Sequence, residues 1–486
     1  MSMSNNSVLE NLEPKGIFRF FGEILSIPRP SKHEGQMSDY LVKWAEERGL
    51  EHERDSVGNV IIRKQATTGM EHKPWVCLQA HMDMVCEKNS DKEFDFYKDA
   101  IVPRIEDGWL KADGTTLGAD DGIGVAACLA VLDSKEIEHG PIECLFTVDE
   151  ETGLTGANAL GGDVLKSRIL LNLDSEDEGE MFIGCAGGID TVARLFYKKE
   201  SAPYSKAFRI TVKGLKGGHS GDDINKGLAC ANKLLNRILW SLDKKMNMRL
   251  SCFDGGNLRN AIAREAFAVF VVEADKAETV KETVSCFEKD FKYEFRSTEP
   301  DLSVVLQEED KPDFVIDAKT QENLLNVLYA CPHGVLAMSR EIPNFVETST
   351  NLASVKMKED HIFITTSQRS SVESAKYAAA CRVEACFRLA GAEVEHGDGY
   401  PGWAPNTDSR VLKVAVETYE ELFGKKPVVR AIHAGLECGL IGEKYAGMDM
   451  ISYGPTLRGV HSPDERLEIS TVDLFWRHTL AILKNI

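Results

Sequence analysis

Cys144-Leu-Phe-Thr-Val-Asp149-Glu150-Glu151-Thr-Gly153 decides how the rest of this chain is read. Ile142 to Val148 is a short apolar run rich in strand formers, with Pro141 in front of it and Gly153 behind. At its carboxyl end stand three consecutive acids, Asp149, Glu150 and Glu151. A buried strand that delivers carboxylates to its own end is costly unless a cation or a reaction needs them. Taken alone, the stretch reads as a solvated acidic turn. Its neighbours change that.

Upstream, Trp75 to Ala80 reads as a strand running into His81-Met-Asp83. Residues two apart on a strand share a face, so an imidazole at His81 can be supported by the carboxylate of Asp83. Gly114-Thr-Thr-Leu-Gly-Ala-Asp120-Asp121-Gly-Ile-Gly124 is a glycine-rich loop opening a helix from Val125 to Ser134. It lacks the Lys-Ser/Thr of a phosphate loop, and paired aspartates repel phosphate but suit a divalent cation. Downstream, Arg168 to Leu173 is an apolar strand ending at Asp174. Sites in α/β sheets lie at the carboxyl ends of strands. Together with the late His461, the residues His81, Asp120, Glu151 and Asp174 supply oxygen and imidazole donors without cysteine. That set fits two borderline metals, zinc most readily, sharing a carboxylate and a water.

The 486 residues are too many for one core. A net charge of -20 argues against nucleic acid as a partner. The polar N-terminal residues lack a signal-peptide core and no apolar run approaches membrane-spanning length, so the expected compartment is the cytoplasm. The 12 cysteines form no C-x-x-C pair, which sets aside a disulfide scaffold or a cysteine-rich zinc module. Near residue 187 the pattern changes to alternating strands and helices of two related layers. It changes back at Gly391, where Glu393 to His396 reads as a strand of the first domain. The expected organisation is a first domain in two parts, residues 1–186 and 391–486, with an α+β lid inserted at 187–390. Tyr400 and Trp403 read as packing at the junction, His433 as a surface or satisfied core histidine, and the acids from Glu176 to Glu180 as solvated.

The motifs H-M-D-M-V, G-A-D-D-G-I-G, D-E-E-T-G, N-L-D-S-E-D-E-G-E, G-G-H-S-G, H-A-G-L-E-C-G and H-S-P-D-E occur in order along nearly the whole chain. Together they resemble the aminoacyl-histidine dipeptidases, within the dinuclear-zinc peptidases that include peptidase T and carboxypeptidase G. The resemblance implies a three-layer α/β/α zinc-peptidase catalytic domain with the inserted lid, and two Zn2+ per subunit, with Co2+ or Mn2+ as substitutes. Asp120 would bridge the metals, His81 and Asp174 would complete one site, and Glu151 and His461 the other. Asp83 would orient His81, and Glu150 would be the general base. The Asp120–Asp121 peptide is expected to be cis. In the lid, His219 would polarise the substrate carbonyl, while Asn260, Arg369 and the backbone at Gly435 would contact substrate. The activity implied is hydrolysis of dipeptides, Xaa-His such as carnosine among them, by a homodimer. Alternatives on the same metal set are a tripeptidase, an aminoacylase or a carboxypeptidase, and, outside enzymes, a non-catalytic scaffold.

Overall fold

The computed structural model describes residues 8–486. They divide into two compact units, the first made of residues up to 184, 405–431 and 436–486, the second of 185–404 and 432–435.

The first unit is built on one mixed sheet. Its strands run in the order Glu51–Arg54, Val60–Lys64, Ile142–Thr147, Val76–His81, Ile169–Asn172, Asp449–Ser452, Glu180–Cys185 and Val428–Ile432. The central strands, Ile142–Thr147, Val76–His81, Ile169–Asn172 and Asp449–Ser452, pair in parallel. Every residue of Val76–His81 and of Ile142–Thr147 is buried, the near-continuous burial expected of a parallel sheet covered by helices. Lys15–Ile24 buries Ile17, Phe18, Phe20, Phe21 and Ile24 and packs on Ala119–Asp133, which in turn lies on Val76–His81. Parallel strands all end on one side, and this brings the ends at His81, Thr147 and Asn172 together. A small separate sheet joins Leu457–Arg458, Arg466–Glu468, Trp109–Ala112 and Pro103–Glu106, and His461 lies on the connection between its first two strands.

The helix expected from Val125 begins earlier, at Ala119, but Asp120 and Asp121 inside it are not helical and the peptide between them is cis. Gly118, at φ 71°, has no room for a side chain, because a Cβ would lie 2.6 Å from the Arg29 guanidinium and 2.8 Å from the Met84 sulfur.

The second unit is a continuous sheet in which every pairing is antiparallel, rather than two separate layers. Its order is Ser303–Glu309, Lys206–Lys213, Ala266–Val272, Arg249–Gly255, Val346–Met357, His361–Ser370, Gly187–Phe196 and Glu393–His396, with Gly334–Met338 pairing on Val346–Met357. Ala231–Met246 and Glu373–Leu389 pack on it over a core that includes Leu235, Leu239, Phe253, Phe270, Val383 and Phe387. The return to the first unit falls at 405 and not at 391. Glu393–His396 pairs residue for residue with Thr191–Arg194, which ties it to the second sheet.

Candidate metal centre

At the carboxyl end of Val76–His81, the buried His81 ring lies between acids. Its Nδ1 is 3.3 Å from Asp83, and its Nε2 is 3.0 Å from Asp120 and 3.5 Å from Asp174. His461 Nε2 is 3.2 Å from the other oxygen of Asp120 and 2.9 Å from Glu151. Asp120 thus touches both imidazoles with its two oxygens. Donor atoms of Asp120, Glu151 and His461 lie within 4.8 Å of one another, as do those of His81, Asp121 and Asp174, and those of His81, Glu150 and Glu151. All the metal-ligand candidates of the sequence, and Glu150, therefore meet in one place.

Local geometry explains how the acids arrive there. After Ile142–Thr147 the chain turns through Asp149 at φ 51°, a left-handed conformation for a non-glycine residue. The Asp149 carboxylate accepts the hydroxyls of Thr152 and Thr155, and its N–H donates to Glu34. Asp83 accepts the next two N–H groups, from Glu150 at 3.0 Å and Glu151 at 3.2 Å, and the Ser31 hydroxyl at 2.8 Å. One aspartate therefore fixes both the His81 ring and the acidic turn.

Two positioning residues escape sequence reasoning. Arg29, 1% exposed, donates to the carbonyls of Met82, Asp83 and Gly118 and so ties the His81 strand end to the Asp120 loop. Glu465, 2% exposed, accepts the N–H groups of Leu117, Gly118, Ala119 and Asp120. Their partners are backbone groups, which leave no mark in the sequence, although Glu465 closes the H-S-P-D-E motif. Asp121 also spends its oxygens on backbone, the N–H groups of His81 and Gly124.

The electrostatics follow from packing acids together. Burial raises the Asp174 carboxyl to about 6 against the pull of His81. Burial likewise lifts Glu150 well above the usual range, and the charges of Asp174, Glu437 and Glu151 add to it. Hydrogen bonds to Asp120 and Glu151 raise His461 to about 11. For His81 burial opposes the charge, but Asp174, Asp120 and Asp83 outweigh it. Five acids face two imidazoles here, and the buried Oε1 of Glu151 has no hydrogen-bond partner. Such an excess of buried negative charge, with a carboxylate oxygen left over, fits a cation. The donors are oxygen and imidazole, as zinc accepts.

The remaining candidates cluster in the second unit. His219 Nδ1 accepts the N–H groups of Gly221 and Asp222, each at 3.3 Å, which leaves the ring proton on Nε2. Burial and then Arg369 lower its pKa, which favours the neutral ring. Arg369 is 8% exposed and donates to the Tyr400 hydroxyl at 2.8 Å and to Ser220 at 3.4 Å. Tyr400 is therefore more than junction packing: it holds the guanidinium, and its ring lies against Gly435. The Asn260 carbonyl accepts the Ser220 N–H at 2.7 Å, beside His219, and Asn260 itself is exposed. The His433 ring is buried and its Nε2 pairs with Ser349 at 2.7 Å, while its Nδ1 has no hydrogen-bond partner, so it is a core histidine only half satisfied.

Residues 77–484 match the family model described as peptidase family M20/M25/M40. The cytosol non-specific dipeptidase of Escherichia coli (strain K12) is 45% identical over 481 residues, 99% of each chain. The crystal structure of the aminoacylhistidine dipeptidase from Vibrio alginolyticus superposes with a TM-score of 0.92 at 45% identity, covering 98% of both chains. The aminopeptidase PepT of Bacillus cereus shares the fold, with a TM-score of 0.57 at 19% identity over 97% of this chain and 98% of its own. Among the described residues no helix is long and apolar enough to cross a membrane.

Proposed function

The chain belongs to peptidase family M20/M25/M40, and from that premise we propose that it is a metal-dependent dipeptidase, cleaving Xaa-His among other dipeptides. The observation that carries the reading is the convergence of His81, Asp120, Glu151, Asp174 and His461, with Glu150 beside them. These residues would hold two Zn2+, with Asp120 between them, His81 and Asp174 on one and Glu151 and His461 on the other. Bound there, the cations would polarise the scissile carbonyl and make hydroxide available near neutral pH.

Each side chain then has a task. Glu150, whose carboxylate burial makes more basic, takes the proton of the attacking water and returns it to the leaving amine. Asp83 keeps His81 and the Glu150–Glu151 turn in place. A neutral His219 with its proton on Nε2 is suited to donate to the developing oxyanion. Arg369, with one edge held by Tyr400, would take the terminal carboxylate of the dipeptide, and Asn260 and Gly435 would line its path. A homodimer and a cytoplasmic location belong to the same reading; the cytosol dipeptidase among the relatives supports the location.

The test is hydrolysis of β-alanyl-histidine, a few α-dipeptides, tripeptides and N-acyl amino acids by metal-free and zinc-reloaded protein. Zinc-dependent cleavage confined to dipeptides is expected. Cleavage only of longer or acylated substrates would overturn the substrate class, and no cleavage by metal-loaded protein would overturn the activity.

A further inference from the structure

Directly behind the metal centre lies a set of polar side chains that the reaction as described does not use. Glu437 opens the helix Glu437–Lys444 and is fully buried, as are Gln79, Thr147 and Asn172. Its Oε2 accepts the Gln79 amide at 2.6 Å and the Thr147 hydroxyl at 2.7 Å. The Gln79 amide also reaches Thr147 at 3.2 Å, and the Gln79 carbonyl accepts the Asn172 amide at 2.6 Å. This connected chain spans Ile142–Thr147, Val76–His81 and Ile169–Asn172, adjacent strands of the sheet.

Its position is specific. Gln79 stands two residues before His81, Asn172 two before Asp174, and Thr147 ends the strand that leads to Glu150 and Glu151. Residues two apart on a strand share a face, so Gln79 lies one step below His81. Apolar residues would fill this space more cheaply, since buried polar groups stabilise only when they are paired.

We propose that Glu437 is a positioning residue for the metal centre: with Gln79, Thr147 and Asn172 it forms a hydrogen-bonded layer that sets the spacing of the three strand ends carrying His81, Glu150–Glu151 and Asp174. The partners within the layer call for a carboxyl that keeps its proton. Glu437 Oε1 and Asn172 Oδ1 are both buried acceptors without a partner, and the hydrogen bonds to Glu437 come from an amide and a hydroxyl, neither of them a cation. A proton on Glu437 removes the charge that burial would otherwise leave without a cationic partner. Burial, against the pull of His81, raises this carboxyl to about 7.

The kinetic part of the test rests on the dipeptidase reading; the metal-binding part does not. Metal-free wild type, Glu437→Gln, Glu437→Leu and Thr147→Val are titrated with Co2+, following the d–d absorption, and then assayed on a dipeptide. Glu437→Gln, which keeps both an acceptor and a donor, should stay within about threefold of wild type, whereas Glu437→Leu should lose about 10–100-fold in Co2+ affinity and kcat with KM unchanged and an altered d–d spectrum. Glutamine rescue and the KM-against-kcat split are what a merely space-filling role would not produce. Thr147→Val should show a smaller loss that adds little in the double variant. Wild-type Co2+ affinity in Glu437→Leu overturns the proposal, and so does Glu437→Gln failing as badly as leucine. Should the leucine variant not fold, Thr147→Val decides, with wild-type affinity counting against the layer. A wild type that binds Co2+ yet leaves dipeptides intact sinks the dipeptidase reading, while the affinities still judge the layer.

Discussion

Replacing Glu465 by glutamine keeps the side chain's shape and should cost the fold about 2–6 kcal/mol. One carboxylate oxygen accepts the N–H groups of Leu117 and Gly118 at 2.8 and 3.0 Å, and the other those of Ala119 and Asp120 at 2.8 and 3.3 Å. Whichever way a carboxamide turns, its NH2 group faces two N–H donors. At 2% exposure, water cannot take over. Each buried donor left unpaired costs about 1–3 kcal/mol, and doubling that gives the range above. The loop can escape part of the cost by moving, but it carries Asp120, so the escape should appear as weaker metal binding. Urea unfolding of the metal-free variant beside wild type measures the first effect, and Co2+ titration the second. A loss below about 1 kcal/mol with unchanged Co2+ affinity would refute the account of how this loop is held.

Glu150→Gln should lower turnover by about 10²–10⁴-fold while the metal content stays full; wild-type turnover would remove Glu150 as the base. His81→Ala should leave the purified protein short of metal by elemental analysis, and full occupancy would contradict its place in the cluster. The Glu437 carboxyl also predicts a pH dependence. Its folded pKa, about 7, lies above the ordinary 4.5, so its contribution is fully present below 4.5 and is lost as pH rises through 7. Metal-free wild type should therefore lose up to about 3 kcal/mol relative to Glu437→Gln between those pH values. A constant difference in urea midpoints across that range would rule this out.

The strand ends were legible because buried parallel strands are apolar throughout, so that acids and a histidine at their ends stand out. His81, Glu150, Glu151 and Asp174 are of this kind. Arg29 and Glu465 were not legible, since each serves backbone groups remote in sequence: Arg29 reaches Gly118, and Glu465 reaches Leu117. Glu437 stands in H-A-G-L-E-C-G, yet its partners Gln79 and Thr147 come from two strands remote in sequence, and no spacing rule links them. Glu393–His396 reads as a strand in either unit, and only its pairing with Thr191–Arg194 assigns it to the second sheet. Tyr400 looked like packing because its hydroxyl partner, Arg369, lies 31 residues away.

The strand Asp449–Ser452 sits inside the first sheet, parallel to Ile169–Asn172 on one side and antiparallel to Glu180–Cys185 on the other. During translation both neighbours leave the ribosome more than 250 residues before it does. Until then the nascent first unit carries two unpaired strand edges, the kind of surface that invites association with other chains. The second unit, a contiguous stretch but for 432–435, can close its own sheet in the meantime. His461 emerges only after Asp449–Ser452, so the group of Asp120, Glu151 and His461 comes together last, after the other acids and His81 have been made. A prematurely terminated chain would thus lack both the strand that closes the sheet and the imidazole that completes the cluster, leaving it a substrate for chaperones and proteases and not a slower enzyme.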